Sequence, residues 1–337
     1  MAKIIPTIFV GLGGTGFYAI SQIKKTIGKK YFDGDTGFPL NAYLAVDTEF
    51  LTADKVSKMK DREELNFVTT FDPDNIVDAE RIETRVTPGD VKSKLKNPNA
   101  THYGDFIPSG AAEHIEVGGD GASGIGLVGK IALADNFTKV ANRLKTLIQE
   151  LMGHDVMNRL SSNSKYSKYS REGRMNIFIF CSFGGGTGKG MALVFSAMAK
   201  ELLDRQFSNQ RDRYNVSVIN YLPDCFKARG RSLANDNSTF QYILKNQYAT
   251  YKEFDWCVTN GYENEEFFRK YFKKGGLKPK TENFVNSIYN ISPKLEMGGR
   301  EISSYGAIND VVADVFSFLT MNEDAKEILQ SASNDTS

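Results

Sequence analysis

The residues of this sequence best suited to chemistry are glycines gathered in three short loops. The first loop holds Gly11, Gly13, Gly14, Thr15 and Gly16, and the second holds Gly121, Ala122, Ser123 and Gly124. The third runs Gly184, Gly185, Gly186, Thr187, Gly188, Lys189, Gly190. A loop glycine lets backbone N–H groups approach a ligand closely, and a helix starting there adds partial positive charge. The ligand that suits such a loop is an anion, above all a phosphate. Each N–H bond to a charged phosphate oxygen contributes about 1.5–3 kcal/mol. Three loops converging on one polyphosphate would bind it tightly without a histidine or metal cage.

Other reactive groups are sparse. Cys181, Cys225 and Cys257 show no paired spacing, which argues against a disulfide framework or zinc site and for a reducing compartment. His102, His114 and His154 adjoin no cysteine and read as core or surface residues. A net charge of +1 gives no reason to expect nucleic acid or a membrane as partner. The basic run at 269–280 reads as a solvated helix end and loop. No apolar run reaches the ~18 residues of a membrane span, and the amino terminus lacks a signal-peptide pattern. The expected setting is cytoplasmic, without membrane insertion. With 337 residues, 41% of them hydrophobic, the chain has the bulk of one large globular unit or two smaller ones.

The elements that must position these loops follow from apolar periodicity. Residues 4–10 predict a buried strand entering the first loop, and Phe17, Ile20, Ile23 and Ile27 then share one helical face. A second strand over 41–46 ends at Asp47, and a third over 175–181 enters the third loop, with a helix behind it. The second loop opens a long amphipathic helix with Ile131, Phe137, Val140, Leu144, Leu147 and Leu151 inward. Residues 161–174 read as polar linker, 214–221 as a strand, and a helix is expected near 233–247. Phe284, Ile288 and Ile291 fall on one helical face, 306–320 reads as loop into helix, and the end of the chain is polar. Strands alternating with helices give an α/β fold with a mainly parallel, Rossmann-like sheet flanked by helices.

Two common phosphate motifs compete for the loops. GxxxxGK[ST] requires glycine at Phe183 and a hydroxyl at Gly190, so it fails twice. Gly11, Gly13 and Gly16 satisfy GxGxxG after a strand, with Asp47 ending the next strand, as in a dinucleotide-binding oxidoreductase. That reading leaves the other two loops without a role.

Residues 184–190 resemble the GGGTG[ST]G signature of the tubulin/FtsZ superfamily at six of seven positions. The first loop is similar to that family's first nucleotide loop, and residues 121–124 look like its terminal-phosphate loop. Asp47 sits where the family has an acidic residue near the phosphates and magnesium. The resemblance further implies nucleotide contacts for Arg231, guanine contacts for Asn235 or Asn237 and for Asn260, and ribose contact for Asp224. Residues 306–315 resemble the loop with which FtsZ completes a neighbouring subunit's active site, and Asn309 and Asp314 match directly. Lys189 departs from the family's serine or threonine, Lys227 from a ribose-binding glutamate, and an acidic residue is shifted to Asp310.

The resemblance implies a GTP/GDP site with Mg2+ over residues 1–260, carrying insertions near 50–115 and 153–174. Residues 261–320 would then hold the central helix, the intersubunit loop and a following helix, and 321–337 a polar tail. Only 23 residues follow Asp314, so the family's second domain is not expected here. The implied function is GTP hydrolysis at a head-to-tail junction between copies in a filament, with Asp314, Asp310 and Asn309 supplied in trans. The alternative is a scaffold that binds GTP or GDP and a protein partner without turnover.

Overall fold

The computed structural model describes residues 1–48, 80–84, 86–96, 112–113, 115, 121–227, 237–260, 272, 276–277, 284–294, 301–302, 304–323 and 325. Arg231, Asn235, His102, His114, most of the polar tail, most of the 50–115 insertion and most of the basic run lie outside them.

Six parallel strands form one sheet in the order β4-β3-β2-β6-β7-β8. They are β2 (Thr7–Leu12), β3 (Asn41–Asp47), β4 (Glu80–Glu83), β6 (Met175–Cys181), β7 (Tyr214–Tyr221) and β8 (Ser287–Ile291). The expected α/β class with a parallel sheet is what the chain adopts. Alternation along β6 explains why both faces are covered. Ile177 and Ile179 join a core with Ile8, Val10, Leu44 and Val46. Phe178 and Phe180 join the opposite core with Phe9, Ala45 and Ile219. The first core is closed by helices α3 (Gly126–Met152) and α5 (Gly186–Gln206), and the second by α1 (Gly13–Tyr31) and α8 (Tyr305–Met321). The inward residues expected of α1 and α3 are all buried.

Three sequence expectations change. The strand expected over 4–10 is split at Pro6, which cannot donate to a ladder, into β1 (Ala2–Ile4) and β2. The expected linker at 161–174 is built structure. It follows α4 (Asp155–Ser162) and contains β5 (Tyr169–Arg171), which pairs in parallel with β1. Tyr166 and Tyr169 meet Phe32 and Phe38 edge-on there, an aromatic cluster that polar composition hides. Finally, the helical spacing of Phe284, Ile288 and Ile291 gives way to β8, because Ser287–Ile291 pairs with Ser217–Tyr221. Sheet pairing overrides the local period.

Glycine fixes how closely the first helix meets the sheet. A Cβ on Gly16 would lie 2.0 Å from the Phe180 carbonyl oxygen, and one on Gly11 would lie 2.5 Å from the Gly16 carbonyl carbon. Gly14 differs, with only the Tyr18 ring within reach, at 3.8 Å. Gly16→Ala is therefore expected to destabilise the fold by about 3 kcal/mol, at the upper end of overpacking costs. Gly14→Ala should be neutral or slightly stabilising, since alanine favours helix. Urea midpoints of the two variants check this ordering.

Candidate nucleotide site

The strand order reverses between β2 and β6, and the crevice beyond the strand ends at such a switch point is where open α/β sheets bind ligands. The first loop leaves β2 and the third leaves β6, on neighbouring strands. Gly13 takes φ +72, the left-handed region that lets β2 turn at once into α1. A Cβ there would meet Thr187 Cβ at 3.0 Å, so the two loops touch. Gly185, at φ −87, caps the start of α5, whose first turn is Gly186 to Lys189.

The second loop is drawn into the same place. Gly121, Ser123 and Gly124 have φ of 62, 46 and 78, a run of left-handed residues including one that is not glycine. Such strain persists where surrounding structure enforces it. The enforcing contact is Thr48, just after Asp47. Its hydroxyl oxygen accepts from Ala122 N at 2.9 Å and shares a 2.7 Å hydrogen bond with the Thr187 hydroxyl. Thr48 and Asp47 are each 3% exposed, and Thr48 locks the end of β3 against the second and third loops. The Asp47 backbone carbonyl is held by the N–H and hydroxyl of Thr84.

The third loop has its own brace. Ser182 Oγ donates to the Tyr221 carbonyl at 3.2 Å and accepts from Gly184 N at 3.1 Å. Phe183 N donates to Asn220 Oδ1 at 2.9 Å. Helix α7 (Asn237–Asn260) covers the loop, with Ile243 against Gly184.

Most of the loop glycines serve packing. A Cβ on Gly188 would strike the Ser182 carbonyl at 2.5 Å, one on Gly186 would strike Ala122 Cβ at 2.7 Å, and one on Gly190 would strike the Gly126 carbonyl at 2.2 Å. Gly185 is the exception in this loop. Its nearest neighbour would be the Ser182 carbonyl at 3.7 Å, ordinary contact, and its φ is open to any residue. At Gly14 and Gly185, then, neither packing nor backbone conformation requires glycine.

A family model described as "Tubulin like" matches residues 8–336 of the chain. The chain belongs to the tubulin-like family. No curated protein matches it. In this tubulin-like chain the first and third glycine loops follow the neighbouring strands β2 and β6.

The outlying site residues of the tubulin-like chain fall into place differently from their sequence reading. Asp224 starts the short helix α6 (Asp224–Lys227) just beyond β7, with Lys294 Nζ 4.0 Å from its carboxylate. Asn237 and Asn260 are the two ends of one 24-residue helix. At 1.5 Å per residue they stand about 35 Å apart, so one base cannot touch both. The second and third loops meet α7 between these ends, at Tyr242, Asn246 and Thr250.

Residues 305–321 are helical throughout, not loop into helix. Asn309 is 5% exposed, and its Oδ1 accepts from the Tyr221 hydroxyl at 2.9 Å. It faces its own chain's β7, which removes it from any surface offered to a neighbour. Asp310 Oδ1 accepts from Gln22 Nε2 at 2.6 Å, and Asp314 pairs with Lys30 at 2.7 Å. Both aspartates sit on the outer seam of α1 and α8.

Lys189 does not enter the crevice. Its stem crosses Gly126, whose Cβ would lie 2.7 Å from Lys189 Cδ, and its ammonium donates to Asn246 Oδ1 at 2.8 Å. Burial lowers its proton affinity, partly offset by the nearby Glu253 carboxylate. Thr48, Asn220 and Asn246 are site residues that no motif marks. The three cysteines are free and buried, and burial pushes the Cys225 thiol up to about 12. No helix among the described residues is long and apolar enough to cross a membrane.

Proposed function

We propose that the protein binds a guanine nucleotide across its three glycine loops and hydrolyses GTP where one copy meets the next, head to tail, in a cytoplasmic filament. The carrying observation is that packing does not require glycine at Gly14 or Gly185, on two loops that meet where Gly13 packs against Thr187. Gly14 lies in the first turn of α1 and Gly185 caps α5, and helix N-termini favour phosphate. Asp47, buried at the end of β3 beside Thr48, suits a hard cation such as Mg2+ held through water to the phosphates. Asn237 and the interior Asn309 lie on the elements closing this end of the sheet, and in this reading both belong to their own chain's base pocket.

Asp314 supports the junction. Its partner Lys30 lies 17 residues along α1 from Gly13, about 25 Å by helix rise. A carboxylate so far from its own phosphate loops can act on a nucleotide only from another copy. The second reading, a nucleotide-dependent scaffold without turnover, draws on the engagement of Asp310 by Gln22 and of Asp314 by Lys30.

The protein purified without added nucleotide is expected to carry GDP or GTP, identified by denaturation and chromatography. A hydrogen-bonded base site rejects the wrong base by about 10⁴-fold. Bound ATP or NAD, with no measurable affinity for GTP or GDP, would sink this reading.

A further inference from the structure

Helix α7 lays a polar stripe across two of the glycine loops. Tyr242, Asn246 and Thr250 recur every four residues and so share one helical face. The Tyr242 hydroxyl donates to the Gly124 carbonyl at 3.3 Å, and the Thr250 hydroxyl to the Phe183 carbonyl at 3.3 Å. Between them Asn246 is 5% exposed and fully engaged. Its Nδ2 donates to the carbonyls of Gly124 at 2.9 Å and Gly184 at 3.1 Å. Its Oδ1 accepts from Lys189 Nζ. One amide therefore spans the second loop, the third loop and the first turn of α5.

An amide can be turned over, exchanging oxygen for nitrogen. Turned over here, Asn246 would aim its oxygen at two carbonyl oxygens and its NH2 at an ammonium. The Lys189 ammonium, a donor only, forbids that orientation. The neighbouring Lys130–Glu253 ion pair ties α3 to α7.

We propose that Asn246 is a positioning residue that sets the gap between the second and third phosphate loops, with Lys189 fixing the orientation of its amide. The inference rests on the reading that these loops hold nucleotide phosphates. It explains why a lysine can stand where the family signature has a hydroxyl. The cation acts on a side chain, not on the ligand.

The test is a titration of the full chain with fluorescent GDP and with a non-hydrolysable GTP analogue. Asn246→Leu should raise both dissociation constants about 10- to 100-fold, as expected for two lost hydrogen bonds that leave buried carbonyls unpaired. Lys189→Met should cost less, about 3- to 10-fold, and the double variant should match Asn246→Leu within about two-fold, because coupled residues are not additive. Lys189→Gln, a neutral donor, should recover most of the Lys189→Met loss. That comparison decides the matter alone if Asn246→Leu fails to fold. Additive losses, a Lys189→Gln as poor as Lys189→Met, or a folded Asn246→Leu with unchanged affinity would each overturn the proposal. Failure of the unaltered protein to bind either nucleotide would instead remove the functional reading beneath it.

Discussion

Gly185→Val is expected to fold as the unaltered protein does and to bind no guanine nucleotide. Both halves of that result come from one measurement of space. A Cβ added at Gly185 would have no neighbour closer than 3.7 Å, and the residue's φ of −87 suits any side chain. Valine there should change stability by no more than about 1 kcal/mol, the scale of an N-cap exchange from glycine to a β-branched residue. The same side chain would occupy the path of a phosphate against the third loop and displace the N–H donors around it. Each lost bond to a charged oxygen is worth about 1.5–3 kcal/mol, so losing two or three weakens binding by about 10²-fold or more. Gly188→Val offers the contrast, because its Cβ would lie 2.5 Å from the Ser182 carbonyl oxygen and the fold itself should suffer. Calorimetric titration with GDP, beside a urea melt of each variant, separates the two cases. Retained affinity in a folded Gly185→Val would show that the space has another use.

Asp314→Ala is expected to leave nucleotide affinity within a few-fold while lowering GTP turnover per subunit by 10²-fold or more, the contribution of a lost catalytic carboxylate. Its ion pair with Lys30 joins two side chains that are 46% and 57% exposed, so stability should change by less than about 1 kcal/mol. Turnover of the unaltered protein should rise with concentration, since each site waits for a neighbour's carboxylate. Mixing Asp314→Ala with Gly185→Val should restore part of the activity, because each copy supplies what the other lacks. Turnover that is independent of concentration and of Asp314 would place hydrolysis within one chain. Its absence at every concentration would favour the scaffold.

What the sequence made legible were units whose cause is local. Each strand, glycine loop and following helix is contiguous, so a run of apolar residues ending in glycines predicts all three. The α8 helix reads as partly loop in sequence because Gly306, Asn309 and Asp310 are loop-forming types. Its start is nonetheless marked by Ser304, whose side chain accepts from Ala307 N. Burial of Ile308, Val312, Ala313 and Phe316 then outweighs the weak local preference. The bracing of the site was illegible for a different reason. Thr48 meets Thr187 across 139 residues, and Asn246 meets Gly124 across 122. No spacing encodes such pairs, which form only once the sheet has brought its strand ends together.

The glycine contacts between α3 and α5 have a mechanical consequence. Gly129 comes so close to Gly186 that an added Cβ would lie 2.6 Å from its carbonyl oxygen, and Gly190 is equally tight against Gly126. Backbone rests on backbone, with no layer of side chains to absorb a shift. The 27-residue α3 is a rod about 40 Å long. It begins at the second glycine loop and ends at Met152, where Arg171 of β5 holds the carbonyl of Gly153 at 2.7 Å. A displacement of the start of α5 therefore presses directly on the backbone of α3, whose far end lies about 40 Å away beside β5.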